Sequence, residues 1–257
     1  MLRTVLLSFF MLGWMLAEVH AQGMLPPTTG VGILYNRETT FNIKLSTNRG
    51  IIPGIEFGRL RTYYKTTTFN LSIGEIKHVK EQRQSADPTL SRSFRPYVFG
   101  KQNNFIVVRS GWGAKRYFSE KARTKGVAVG MSYSIGPTLG LQKPYYLALT
   151  YQGDVPGNNR IVHEKYSEEN ANVFLNETRI LGASPYSKGF NEIKVVPGGN
   201  ATIAFHMDWG AFDEVVKAFE IGAMLDVFPR NIPIMVSEEN TPFFFNFFIN
   251  LQLGKRR

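Results

Sequence analysis

His206 and Asp208 stand two residues apart in a run that alternates apolar and polar side chains, so both project from one face of a strand. Glu220 and Asp226 occupy the matching face of the next such run. Imidazole and carboxylates gathered in this way are the raw material of acid–base catalysis or of a metal site. Metal binding asks for more than is present. Beyond the first 21 residues the histidines are His78, His163 and His206, and no two have ligand spacing. Ser132 and Ser134 offer hydroxyls for a Ser–His hydrolase or acyltransferase, but neither has a nucleophile-elbow context. With no cysteine in the chain, disulfide scaffolds, Cys-ligated zinc, thiol nucleophiles and lipid attachment through a thiol all drop out. No catalytic residue, metal ligand or cofactor is assigned. The expected role of Lys44, His206, Asp208, Glu220, Asp226, Asn246 and Asn250 is to satisfy one another in an interior polar network.

A second group of residues suits phosphate chemistry. Lys115, Arg116, Lys121, Arg123 and Lys125 cluster around a single acid, Glu120, in a chain with 30 Lys+Arg against 20 Asp+Glu and a net charge of +10. The N-terminal segment bears on what they meet. Met1–Ala21 has a basic start at Arg3, an apolar stretch over Val5–Ala17 and a small-x-small site, Val19-His20-Ala21, before Gln22. That is the pattern of a secretory signal peptide cleaved after Ala21. Nucleic acid is a poor partner for an exported chain, so a solvated turn or contact with anionic lipid head groups is expected of the cluster.

The elements that must position these residues are strands. After a Pro/Thr/Gly lead-in over residues 22–39, period-2 alternation dominates residues 40–257. Eight runs stand out: Thr40–Thr47, Ile55–Tyr64, Thr67–His78, Asn104–Phe118, Gly126–Leu141, Asn200–Trp209, Val215–Phe228 and Phe243–Gly254. Val31–Asn36 and Lys143–Tyr151, if strands in their own right, would raise the number to ten. Tyr64–Thr67, Ser119–Lys125 and Gly210–Glu214 are short joins, while Val79–Asn103, Gln152–Gly199 and Pro229–Pro242 are long and polar. Alternating short and long joins suit an up-and-down barrel, with the short join at Asn48–Gly54 as an exception. The insertion at 152–199 is long enough for structure of its own, with a helical turn expected near Glu168–Asn176.

The two faces of each run differ in an informative way. Phe245, Phe247 and Ile249 alternate with Asn246 and Asn250; Val129 and Met131 alternate with Gly130 and Ser132; Ile221 and Leu225 alternate with Glu220, Gly222 and Asp226. A face washed by water favours Lys, Glu, Thr and Arg, whereas the small face here is rich in Gly, Ala and Ser. Small and polar side chains suit a narrow lumen, and bulky apolar ones suit lipid. Val129, Met131, Ile221, Leu225, Phe245, Phe247 and Ile249 are thus expected to face lipid. Tyr63, Tyr64, Tyr117, Phe118, Trp209, Phe243 and Phe244, near strand ends, would form aromatic belts. Strands that close on themselves pair every backbone group without a long apolar run, which reconciles membrane insertion with a mean hydropathy of −0.15. Arg59 and Arg61 share the face of Ile55 and Phe57, which calls for a bulge at Gly58 or for arginines that snorkel. A second bulge is expected at Gly74-Glu75.

In the stretches Gly113–Phe118, Lys125–Gly130, Gly136–Tyr146 and Phe243–Gly254, together with the N-terminal signal, the chain resembles small outer-membrane β-barrel proteins of the porin-like superfamily, in the style found in Bacteroidota. It departs from them in ending Leu253-Gly254-Lys255-Arg256-Arg257, where many such barrels end on an aromatic residue read by the assembly machinery. The resemblance implies an all-β, closed, antiparallel transmembrane barrel in the cell outer membrane. Its implied partners are outer-membrane lipids, the barrel-assembly machinery and a larger envelope complex. A structural or interaction role leads, because side chains just fill an eight-stranded interior. The alternatives are a narrow passive channel for small solutes and a membrane-embedded lipid hydrolase or acyltransferase.

Overall fold

The computed structural model describes residues 36–48, 50–62, 64–85, 95–118, 127–152, 159–209, 214–236 and 240–257. The signal peptide, most of the lead-in, the short strand expected at Val31–Asn36 except for Asn36 itself, and residues 119–126 and 210–213 lie outside them.

The strands in chain order are β1 (Arg37–Ser46), β2 (Ile51–Thr62), β3 (Lys65–Ile76), β4 (Arg83–Gln84), β5 (Tyr97–Val98), β6 (Asn103–Tyr117), β7 (Ala128–Pro144), β8 (Tyr146–Gln152), β9 (Asn159–Lys165), β10 (Ile180–Ala183), β11 (Lys194–Asp208), β12 (Val215–Val227) and β13 (Phe243–Arg256). One helical turn, α1 (Ala171–Phe174), lies inside the long insertion. Eight strands close into a barrel in the order β1-β13-β12-β11-β7-β6-β3-β2, every neighbour antiparallel. Each barrel strand pairs with the next one in sequence and β13 closes on β1, so the barrel is an up-and-down meander of eight strands. The run expected at Lys143–Tyr151 does not add another: β7 ends at Pro144, and β8 pairs with β9 and β10 in a separate sheet.

The start of β1, the C-terminal end of the chain and the short β2–β3 connection lie at one end of the barrel, the chain-end rim; the long connections lie at the other. There, residues 95–99, 145–152 and 159–183 build a cap with its own core of Tyr97, Leu147, Leu149, Phe174 and Ile180. The connection after β12 folds across the mouth instead. Ile232, Ile234 and Met235 pack with Phe228 onto Ile76, Phe105, Val107 and Val196, and this apolar plug closes the loop end of the lumen. Backbone bonds from Gln102 N to Ile234 O and from Val236 N to Gly100 O, 2.8 Å each, hold the connection in place.

Several local expectations need correction. The barrel begins at Arg37, within the expected lead-in, and β2 begins at Ile51 and runs through Pro53, which leaves residues 47–50 as a still tighter join. No bulge occurs at Gly58 or at Gly74-Glu75, for the β2–β3 and β3–β6 registers run unbroken through both. The one irregularity between β2 and β3 falls between Leu60 and Thr62. Gly58 instead makes room: a Cβ there would stand 2.3 Å from Glu38 Cγ. Arg59 and Arg61 therefore stay on the outer face. Tyr117 and Phe244 turn inward, Tyr117 to the ionic network and Phe244 to the plug, so neither joins an outer aromatic belt.

Candidate functional site: an ionic lumen inside an apolar belt

Alternation sends every second side chain of each barrel strand inward, and the inward set is strongly polar. His206, Asp208, Asp226 and Asn250 are fully buried, and Glu220 and Asn246 nearly so. Lys44 is half-buried, its Nζ 5.2 Å from the centre of the Phe248 ring. The residues expected to form the network thus share the lumen, but its connections run largely through others.

Lys115 is the hub nearest the chain ends. Its Nζ lies 3.2 Å from Glu38 Oε1 and 2.5 Å from Glu56 Oε1, and donates to Gln252 Oε1 at 3.1 Å. Arg256 bridges Glu38, at 3.3 Å, and Asp208. The Tyr117 hydroxyl donates to Asp208 Oδ2 at 3.3 Å and lies 3.3 Å from His206 Nε2. His206 Nδ1 stands 2.9 Å from Glu220 Oε1, and Asn250 Nδ2 donates to Glu220 Oε2 at 2.7 Å. Lys115, read from sequence as part of an exposed basic turn, is 1% exposed. Lys115 lies within β6, which carries its side chain into the lumen.

Toward the loop end a thin apolar layer of Ile52, Met224 and Phe248 comes first. Beyond it, Arg109 grips Asp226 with two hydrogen bonds, Nε to Oδ1 at 2.7 Å and Nη2 to Oδ2 at 2.8 Å. Arg109 is on β6 and Asp226 on β12, three strands away around the wall, so the pair crosses the lumen. Asn200 acts beside it. Pro137 has no N–H to give the β6–β7 ladder, and the Asn200 amide donates to Ser110 O at 2.9 Å, on the neighbouring strand. Glu38, Glu56, Arg109, Asn200 and Arg256 were not singled out from sequence, and Lys115 was placed in the basic cluster instead of the lumen. The pattern Arg109-x-Gly111-x-Gly113-x-Lys115, charged and small on one parity, was the available signal.

This geometry bears on chemistry. Both ring nitrogens of His206 are occupied, by Glu220 and by Tyr117, so neither is offered to Ser132 or Ser134. In the cap, His163 Nδ1 lies 2.8 Å from Ser184 Oγ. Burial and the Lys188 cation push the imidazole pKa down. At the rim a cleft of about 700 Å³ is lined by amide side chains of Gln102, Asn103, Gln142 and Asn231 with Lys165 and Arg230.

The outer surface is the reverse. Phe245, Phe247 and Trp112 are 55%, 58% and 60% exposed, and Met131, Ile221, Leu225 and Ile249 are exposed on the same side of the wall, with Val129 half-buried. Phe41, Ile55, Phe57, Leu71, Ile203 and Phe205 continue the belt around the barrel.

These features define a class: a closed eight-stranded meander barrel with charges inside and large apolar side chains outside. No family model and no curated protein matches the chain. Among solved structures, it is similar to the N-terminal β-barrel domain of Pseudomonas aeruginosa OprF, with 13% sequence identity, coverage of 87% of this chain and 98% of that one, and a TM-score of 0.32.

Proposed function

We propose that this protein is an outer-membrane β-barrel with a structural or interaction role, delivered by export and cleavage after Ala21 and inserted by barrel-assembly machinery. The observation that carries the reading is the inverted polarity of the wall. A half-exposed aromatic ring leaves on the order of 100 Å² uncovered, and the belt holds several rings besides its aliphatic side chains. That total far exceeds the few hundred Å² of contiguous apolar patch typical of a protein in water. Its height also suits a bilayer. From Phe243 to Leu253 the outward positions of β13 span ten residue steps, roughly 33 Å at about 3.3 Å per residue. Tilted by about 40°, that is about 25 Å along the barrel axis, the height of the apolar band in barrels of this kind.

The filled lumen argues for a role other than conduction. Ion pairs cross it at two levels, and the plug of Phe105, Phe228, Ile232 and Ile234 closes its loop end. What the barrel holds up is the cap, a small folded unit that presents β8–β10 and the rim cleft outside the membrane, as a surface for envelope partners.

Membrane fractionation with heat-modifiable gel migration tests the reading. The unheated protein is expected in the outer-membrane fraction and should migrate faster than the boiled one. Recovery as a water-soluble monomer without detergent would overturn it. In planar bilayers no steady conductance is expected; discrete ohmic steps would favour the channel.

A further inference from the structure

The geometry points to a phospholipid-binding collar on the outer wall at the chain-end rim, specific for the phosphate of anionic phospholipids in the adjoining leaflet. The inference rests on the proposed membrane seating and adds a lipid class to it. Across the β1–β2 ladder Arg37 is directly opposite Arg59, and across β3–β6 Lys65 is directly opposite Arg116. All four share the outward parity of Phe41, Phe57, Phe69 and Trp112. Arg61 and Lys255 extend the same side, making six cations over five contiguous strands, β13-β1-β2-β3-β6. Among the described residues none of the six forms an ion pair with a carboxylate; Arg61 Nε donates to Thr67 Oγ1 at 3.0 Å.

Like charges directly opposite on one face of a sheet have Cβ atoms about 5 Å apart and destabilise the pairing. Two such pairs side by side, with no carboxylate paired to either among the described residues, offer a site to an anion from outside. Phosphate fits, since guanidinium groups grip it with paired hydrogen bonds. The position selects the molecule that carries it. Arg59 lies two residues beyond Phe57, and Lys255 two beyond Leu253. One outward step is roughly 6.6 Å along the strand, or about 5 Å along the axis. The head-group layer on each side of the hydrocarbon core is about as thick. A ligand here must offer phosphate at the edge of an apolar wall, as a phospholipid does. At the opposite rim the outward rows of β2, β12 and β13 end on Ile51, Val227 and Phe243, and the one on β7 ends on Lys143, whose cation lies over the rings of Tyr186 and Phe190.

The test compares the mature protein with R59Q/R116Q, which removes one cation from each opposed pair. Both are folded into vesicles of phosphatidylcholine alone and into vesicles with added phosphatidylglycerol. Insertion, read by the faster-migrating folded band in phosphatidylcholine, reports the membrane seating separately. Phosphatidylglycerol should raise the unfolding midpoint of the wild type, be retained in native mass spectra, and lose its effect at high salt. R59Q/R116Q should be at least as stable as the wild type in phosphatidylcholine, because a repulsion is gone. It should bind phosphatidylglycerol about tenfold more weakly, as expected for the loss of charge-assisted contacts. R59K/R116K, keeping the charges, should retain most of the effect. Equal stabilisation of wild type and R59Q/R116Q by phosphatidylglycerol overturns the collar, as does a wild-type effect insensitive to salt. So does equal stabilisation by inorganic phosphate in detergent micelles. Should R59Q/R116Q not fold, the wild-type salt series and the lysine variant decide.

Discussion

Asp226→Ala isolates what the lumen network contributes. Asp226 is wholly buried and Arg109 is 5% exposed, and their two hydrogen bonds of 2.7 and 2.8 Å tie β12 to β6 across the barrel. Removing the carboxylate strands a guanidinium that already has Nη1 without a hydrogen-bond partner. Breaking a buried pair on one side costs about 3–5 kcal/mol, because the surviving charge stays desolvated. Against a typical total of about 5–15 kcal/mol, that is a large share of the fold's stability. Arg109→Met should cost about as much, since it leaves Asp226 alone. The double variant should cost far less than the two together, with a coupling energy above about 2 kcal/mol. Urea unfolding in lipid vesicles measures all three. Trp112 and Trp209, 60% and 50% exposed on the wall and at the rim, should report loss of the lipid environment by fluorescence. A loss below about 1 kcal/mol for Asp226→Ala, without coupling, is the behaviour of a solvated surface pair. That result would refute the description of the lumen as a dry, interlocked interior.

Other expectations follow from the same geometry. Ile249→Lys, near the middle of the outward row of β13, should destabilise the inserted barrel by about 2–4 kcal/mol; a neutral outcome in vesicle unfolding would place that face outside lipid. Asn200→Leu leaves Ser110 O, beside Pro137, without its amide donor and should cost about 1–3 kcal/mol in the same assay. Hydrogen bonds from Lys165 and from the Tyr146 hydroxyl hold the Glu192 carboxyl below the usual carboxylate range. A depressed acid stabilises the fold above its unfolded pKa, and that contribution fades as pH falls through the folded value. Hydrogen exchange should accordingly rise in residues 186–194 on acidification below the ordinary carboxylate range of about 4.3, while barrel strands stay protected; protection unchanged down to the lowest pH would show that the contacts contribute nothing.

The sequence was most legible where the two faces of a strand contrast most. In β13, β12 and β7 the parity of Phe, Ile and Leu against Asn, Gly and Glu orients the wall, and the structure keeps that parity from end to end. It was least legible in β6. Phe105 and Val107 turn inward there because the plug needs apolar partners, while Trp112 turns outward. Apolar side chains on both faces erase the contrast that orients a strand, and Arg109 and the inward direction of Lys115 went unnoticed with it. Glycines misled for a related reason. A glycine within a strand marks either a bulge or a close approach, and sequence alone does not distinguish them. Gly58 clears space for Glu38, and at Gly74 a Cβ would stand 2.7 Å from Ile52 Cγ1. Both serve a narrow lumen without interrupting the ladder.

The same constraint explains where the chain keeps its excess charge. A charge left alone in a narrow, poorly hydrated lumen is costly, so interior charges must come close to cancelling. They do: counted formally with histidine neutral, Glu38, Glu56, Asp208, Glu220 and Asp226 face Lys44, Arg109, Lys115 and Arg256, a sum of −1. The net charge of +10 is therefore not held in the lumen. On the wall it is excluded from the apolar belt, where a cation at mid-bilayer depth costs several kcal/mol. The barrel positions left are those one step beyond the belt, and at the chain-end rim Arg37, Arg59, Arg61, Lys65, Arg116 and Lys255 take them. With the proposed membrane seating, closing a small barrel around a nearly neutral interior thus leaves surplus cations at the depth where a bilayer presents phosphate.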